Sequence, residues 1–84
     1  VYIIQSRADG SFYKGFSEDP LRRLVQHNNG ESHYTSAKIP WTLVYVELLP
    51  TKKDALIREK ALKKYSHMQI KNLILSDKNI VTQL

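Results

Sequence analysis

Five side chains in this 84-residue sequence can do chemistry and stand where a small core has no need of them: Tyr2, Tyr13, Arg23, His27 and Glu59. A phenol can orient or pass a proton, and a guanidinium forks onto phosphate oxygens. An imidazole exchanges a proton near neutrality, and a carboxylate is a hard oxygen ligand for a divalent cation. Each also has an ordinary reading. Tyrosines in hairpins are usually packing, Arg23 can pair with Glu18 or Asp19, and Glu59 can pair with Lys63 one helical turn on. Position by position, the ordinary readings suffice.

The elements that position these groups can be read from the pattern. Val1–Gln5 and Phe12–Phe16 are short, aromatic and β-branched, as strands prefer, and Asp9-Gly10 between them is a hairpin signal. A two-residue loop there sets Ser6 opposite Tyr13 and Ile4 opposite Gly15, whereas a longer loop brings Tyr2 and Tyr13 nearer. Tyr2, Ile4, Tyr13 and Gly15 share one face of the ribbon. Asp19 and Pro20 open a helix, with Leu21, Leu24, Val25 and Asn28 as its inward stripe and Asn28-Asn29-Gly30 as its stop. Arg23 and His27, four apart, lie together on a different face from Leu21 and Val25.

Residues 30–40 are polar and turn-rich and read as a loop ending at Pro40. Trp41–Leu49 is a strand apolar on both faces, which predicts a central position. Thr51-Lys52-Lys53-Asp54 resembles a capping box opening a helix over Ala55–Lys64, with Glu59 on the flank of Ala55 and Leu62. Ser66 caps a further helix over His67–Leu75, and residues 76–84 form a tail without a predicted element. The order β-β-α-β-α-α predicts an α+β fold, a small three-stranded antiparallel sheet flanked by helices.

Composition narrows the function classes. The chain is 42% hydrophobic and 25% charged, ordinary globular usage that excludes a disordered tail. Having no cysteine, it cannot form a disulfide framework or a thiolate zinc site, and His27, His33 and His67 lack the close spacing of a metal site. Neither a Gly-rich phosphate loop nor a Gly-x-Ser-x-Gly elbow is present. Apolar runs are only a few residues long and no signal-peptide pattern opens the chain, so a cytoplasmic domain away from membranes is expected. It begins at Val1 rather than Met, which leaves room for residues upstream. The formal charge is +5, and residues 57–84 alone carry a net +4. A basic terminal third fits an anionic partner such as a phosphate backbone.

Read in order, the residues resemble the GIY-YIG nuclease family. Val1-Tyr2 matches the end of the first family motif and Tyr13-Lys14-Gly15 the second. Ser17-x-Asp19-x-x-Arg22-Arg23-Leu24-x-x-His27-Asn28-x-Gly30 follows, then Thr35, then Pro40-Trp41-x-Leu43-Val44-Tyr45-x-Glu47. Ala55-Leu56-x-Arg58-Glu59-Lys60-x-Leu62-Lys63 completes the set. The likeness covers about residues 1–75 of a single domain over 1–84, and is strongest to the small stand-alone bacterial members.

That resemblance implies a metal-dependent endonuclease acting on nucleic acid, DNA in the first instance, with DNA repair as its setting. It implies catalytic roles for Tyr2, Tyr13, Arg23, His27 and Glu59, with Mg²⁺ or Mn²⁺ held by Glu59. Asn72 is the candidate for a completing asparagine, with Asn79 as the alternative. Lys14 or Arg23 would supply positive charge beside Tyr13, and Lys60, Lys63 and Lys64 would contact nucleic acid. A domain of such modest charge gains affinity by forming a homodimer or joining a protein partner. Three positions depart from the family pattern. Lys14 replaces an aliphatic residue, Pro20 replaces a common Leu, and Phe16 stands where some members carry a catalytic lysine. A binding module that keeps the fold without turnover is the alternative, and the retained Tyr2, Tyr13, Arg23 and Glu59 argue against it.

Overall fold

A computed structural model describes residues 1–84. Its sheet has the order β2-β1-β3, all antiparallel, with β1 over Tyr2–Ser6, β2 over Phe12–Gly15 and β3 over Trp41–Val46. The helices are α1 (Pro20–Asn28), α2 (Lys52–Leu62) and α3 (His67–Ile74), with short 3-10 turns at Ser36–Lys38 and Val81–Gln83. This is the expected α+β architecture.

The centre of the sheet is β1, not β3. Tyr2, Ile3 and Ile4 are all buried, because both faces and both edges of β1 are covered. β3 ends at Val46 rather than Leu49 and lies at a sheet edge. Its continuous apolar run reports two covered faces, which says nothing about lateral position. The tail covers the exposed side of that edge. Ile80 N–H donates to the Val46 carbonyl at 3.0 Å. Asn79 Nδ2 donates to the Val44 carbonyl and Asn79 Oδ1 accepts from Val46 N–H. Residues 76–84 are therefore part of the fold, and Ile80 and Val81 pack against its core.

Strand alternation divides the interior into two layers. On one face Ile3 and Tyr45 pack with Ala55 and Leu62 of α2 and Ile70 and Leu73 of α3. On the other, Tyr2, Ile4, Trp41 and Val46 pack with Tyr13 and with Leu24 of α1. The inward side of α1 is turned from the expected stripe: Leu21 and Val25 are exposed, and Leu24, His27 and Asn28 face the sheet. A polar stripe is tolerated there because each polar group is bonded. Asn28, for example, accepts from Trp41 N–H at 2.6 Å and donates to the Trp41 carbonyl at 3.0 Å, fixing the start of β3.

Caps set the helix limits. Asp19 accepts from Arg22 N–H with Pro20 at the first turn of α1, and Ser66 and Gln69 form a reciprocal capping box on α3. At α2, Thr51 accepts from Asp54 N–H, which starts the helix at Lys52 instead of Ala55. In the α2 layer, Arg58 Nε donates to Glu47 Oε1 at 3.1 Å and the Tyr45 hydroxyl donates to the same oxygen. One of the six cations of the basic terminal third is thus turned inward and neutralised. No helix is long and apolar enough to cross a membrane.

Candidate functional site

The hairpin is the first positioning device. Five residues, Arg7–Ser11, separate the strands. Because Ser6 N–H donates to the Ser11 carbonyl at 2.9 Å, the loop proper is the four residues Arg7–Gly10, with Gly10 at φ 78° and Ser6 Oγ accepting from Ala8 N–H. Asp9 does not adopt the positive φ that a two-residue type I′ turn demands, so the register differs from the shorter-loop expectation. Ile4 faces Tyr13 and Tyr2 faces Gly15. Tyr2 and Tyr13 become diagonal neighbours on one face, within reach for aromatic side chains. Lys14, facing Ile3 across the ladder, belongs to the opposite face, so it is not the cation beside Tyr13. Phe16 packs into the α2–α3 layer.

Gly15 makes room for Tyr2. A Cβ at this position would lie 2.5 Å from both Cζ and Oη of Tyr2, so only glycine lets the ring lie across β2. From α1, His27 meets the phenol: Tyr2 Oη and His27 Nε2 are 2.9 Å apart. His27 Nδ1 is 2.7 Å from Thr35 Oγ1, and both residues are fully buried. The Trp41 indole N–H donates to the Thr35 carbonyl at 2.9 Å, anchoring the 30–40 loop to the site.

Burial shifts both ionisable groups of this hydrogen-bonded chain. Burial pushes the Tyr2 phenol up to about 12, helped by the nearby Tyr13 and Glu59 and opposed by Arg23. Burial, reinforced by Arg23, lowers the His27 pKa. Both groups are therefore neutral at pH 7. The Thr35 hydroxyl donates to the Ser32 carbonyl at 3.5 Å, and the His27 tautomer consistent with that carries its proton on Nδ1, which donates to Thr35, and accepts from the Tyr2 hydroxyl at Nε2. Thr35 is the partner that residue types alone did not mark as functional; its signal was its place in the family pattern.

A pH dependence follows. Below about pH 6.5 the unfolded chain protonates His27 while the native state resists, so the unfolded state binds more protons and native stability declines. Thermal melts should show Tm falling as pH drops below that value, and His27→Gln should flatten this limb. An identical acid limb in the variant would refute a neutral, buried His27.

Three groups remain within reach of a ligand. Tyr13 is half-buried, edge-on to His27 with ring centroids 5.1 Å apart, and its hydroxyl is outside the Tyr2–His27–Thr35 chain. Arg23 donates to Gln26 Oε1 at 2.8 Å, pairs with neither Glu18 nor Asp19, and its charge acts on Tyr2. Glu59 comes from the opposite layer. Its side chain is 21% exposed, 3.8 Å from Lys63 Nζ, and its charge is felt at Tyr2 and at the Val1 ammonium. The five predicted residues thus divide into a sealed pair, Tyr2 and His27, and an accessible trio.

Of the two asparagine candidates, Asn79 is committed elsewhere. Asn79 commits its amide to Val44, Ile74, Val46 and Val81 backbone groups. Asn72 is exposed on α3 between the buried Ile70 and Leu73. Lys60, Lys63 and Lys64 are all exposed.

No cluster of three or more His, Cys, Asp or Glu side chains exists. A divalent ion here would have Glu59 as its protein carboxylate and complete its shell with water and phosphate oxygens. That donor set fits a hydrated Mg²⁺ or Mn²⁺ and does not fit a zinc or calcium cage.

Fold and site define a small α+β domain with two tyrosines on one sheet face and an arginine and a carboxylate whose charges act on one of them. The family model of the GIY-YIG catalytic domain matches residues 1–72, and the chain belongs to that family. Its relatives include small UPF0213 proteins. One from Staphylococcus saprophyticus is 40% identical over 75 residues, 88% of this chain and 90% of that protein. Another, from Staphylococcus epidermidis, is 43% identical over 70 residues, 82% of this chain and 84% of that protein. A Staphylococcus aureus relative is 40% identical over 75 residues, with 88% and 90% covered. No solved structure matches.

Proposed function

We propose that this domain is a metal-dependent endonuclease hydrolysing phosphodiester bonds in nucleic acid, DNA in the first instance. The observation carrying this reading is the pairing of Tyr2 and Tyr13 on one sheet face, with the Arg23 guanidinium and, more weakly, the Glu59 carboxylate acting on the Tyr2 phenol. A structural core gains nothing from bringing a carboxylate and a guanidinium to a buried phenol.

Hydrolysis forms a bond from water oxygen to phosphorus and breaks the bond to the leaving oxygen. One water proton ends on that oxygen and the other stays with the phosphate or passes to solvent. Arg23 would fork onto the non-bridging oxygens and offset their charge. Tyr13 would accept a hydrogen bond from the attacking water and fix its line of approach. Tyr2 and His27 are sealed from solvent, so their part is positioning. They hold the Tyr13 face in place through the Tyr2 Oη–His27 Nε2 hydrogen bond and the edge-on contact of His27 with the Tyr13 ring. Glu59 would hold the divalent ion, which supplies positive charge at the phosphate and the leaving oxygen.

Purified protein should cut labelled nucleic acid from a panel of single-stranded, duplex and branched DNA and RNA, with Mg²⁺ or Mn²⁺ and not with EDTA. Tyr13→Phe should lower the rate by about 10²–10⁴, the range for a proton-handling group. Cutting that persists undiminished in Tyr13→Phe would remove that residue from the mechanism. No cutting of any substrate would leave a binding module on a nuclease fold.

A further inference from the structure

Beside Glu59, the outward side of α2 carries a feature that hydrolysis does not explain. Lys52, Lys53, Lys60 and Lys63 surround Leu56 and Ile57 along an open groove of about 570 Å³, with Glu59 at its margin. Leu56 is 45% exposed and Ile57 58% exposed, although apolar positions were available on the buried side, where Ala55 and Leu62 pack. The lining follows one stripe of the helix from residue 52 to residue 63, roughly 16 Å at 1.5 Å per residue. Lys64, past the end of α2, is not part of it.

We infer that this groove binds an unpaired polynucleotide strand continuous with the phosphate at Glu59, the lysines on its phosphates and Leu56 and Ile57 against its bases or sugars. The inference rests on the nuclease reading and specifies its substrate. Four ammonium groups beside a single carboxylate call for a polyanion. An acidic peptide satisfies the lysines, but it would set carboxylates against Glu59 where no cation separates them. A duplex presents phosphates outward and keeps the apolar faces of its bases stacked inside. An unpaired strand offers phosphates for the lysines and apolar base and sugar surface for Leu56 and Ile57 together.

The test is binding without turnover. Fluorescein-labelled oligo(dT), oligo(U) and a hairpin duplex are titrated with the full chain in EDTA, by anisotropy, over a series of salt concentrations. Both single strands should bind more tightly than the hairpin, and the ratio between them reports the preferred sugar. In Lys53→Ala/Lys60→Ala the slope of log K against log salt for oligo(dT) should shrink by about 1.4, or 0.7 for each phosphate that a lysine no longer neutralises. Ile57→Ser removes no charge and should weaken oligo(dT) several-fold while leaving the hairpin unchanged.

Equal affinity for hairpin and single strand, or an unchanged slope in the double variant, would overturn the inference. So would displacement of oligo(dT) by poly-glutamate as effective, charge for charge, as displacement by unlabelled oligo(dT). Circular dichroism checks that these exposed substitutions leave the helix intact. Single-strand binding without cutting would sink the nuclease reading alone, and cutting with groove variants indistinguishable from wild type would sink the groove alone.

Discussion

Glu59→Gln is expected to reduce metal-dependent cleavage by about 10³ while leaving Tm nearly unchanged. The size follows from the several kcal/mol that a bound cation contributes to a phosphoryl transition state, at about 1.4 kcal/mol per tenfold in rate. Gln keeps the shape of Glu and removes the charge, and Glu59 belongs to no cluster of three or more His, Cys, Asp or Glu side chains. Stability is spared because Glu59 engages only Lys63, at 3.8 Å, and Lys63 is 59% exposed. Such a pair is worth at most a few tenths of a kcal/mol. Cleavage rates over a Mg²⁺ or Mn²⁺ titration, with thermal melts of both proteins, measure the two effects separately. A Gln variant cutting at the wild-type rate would show that the catalytic cation is held elsewhere or that a contaminant does the cutting.

Gly15→Ala should damage the site from outside it. The added Cβ would lie 2.5 Å from Tyr2 Cζ and Oη and 2.9 Å from Cε1, inside any tolerable contact. Tyr2 is 1% exposed and tied to His27, so the ring has no free direction in which to retreat. Overpacking of this kind costs about 1–3 kcal/mol. In a domain of this size 2 kcal/mol corresponds to a fall in Tm of roughly 8–16 °C. Cleavage should fall further than stability does, measured at a temperature where the variant remains folded, because the displaced phenol loses its alignment with Nε2. The acid limb of stability should change as well, since His27 loses its hydroxyl donor. An alanine variant with wild-type Tm and rate would mean that Tyr2 swings aside freely and is not a fixed part of the site.

Local chemistry in the sequence carried much of this arrangement. Asp19 with Pro20, and Ser66 with Gln69, mark helix starts through short-range bonds that operate wherever the chain goes. The common face of Tyr2 and Tyr13 survives the change of hairpin register, because adding two residues to the loop moves the partners by a full period. What stayed hidden depends on distant neighbours. The rotation of α1 was not legible: Leu21 and Val25 have the right spacing for an inward stripe, yet His27 wins the interior because Tyr2 and Thr35 are there to bond it. In β3 the apolar faces were plain, but not its place at the edge, which the last residues decide. The inward turn of Arg58 likewise requires knowing that Glu47 and Tyr65 surround it.

Those last residues have a consequence of a different kind. Asn79 and Ile80 occupy the outward hydrogen-bonding groups of Val44 and Val46, as a strand from another molecule would. They lie outside the stretch matched by the family's catalytic domain, which ends at residue 72. Chemistry and solution behaviour are therefore written in separate parts of the chain. A version ending at Ser76 would retain Tyr2, Tyr13, Arg23, His27 and Glu59 while presenting an uncapped template for edge-to-edge polymerisation. The protein carries its own chain terminator for sheet growth, and this terminator can change without altering any of those five residues.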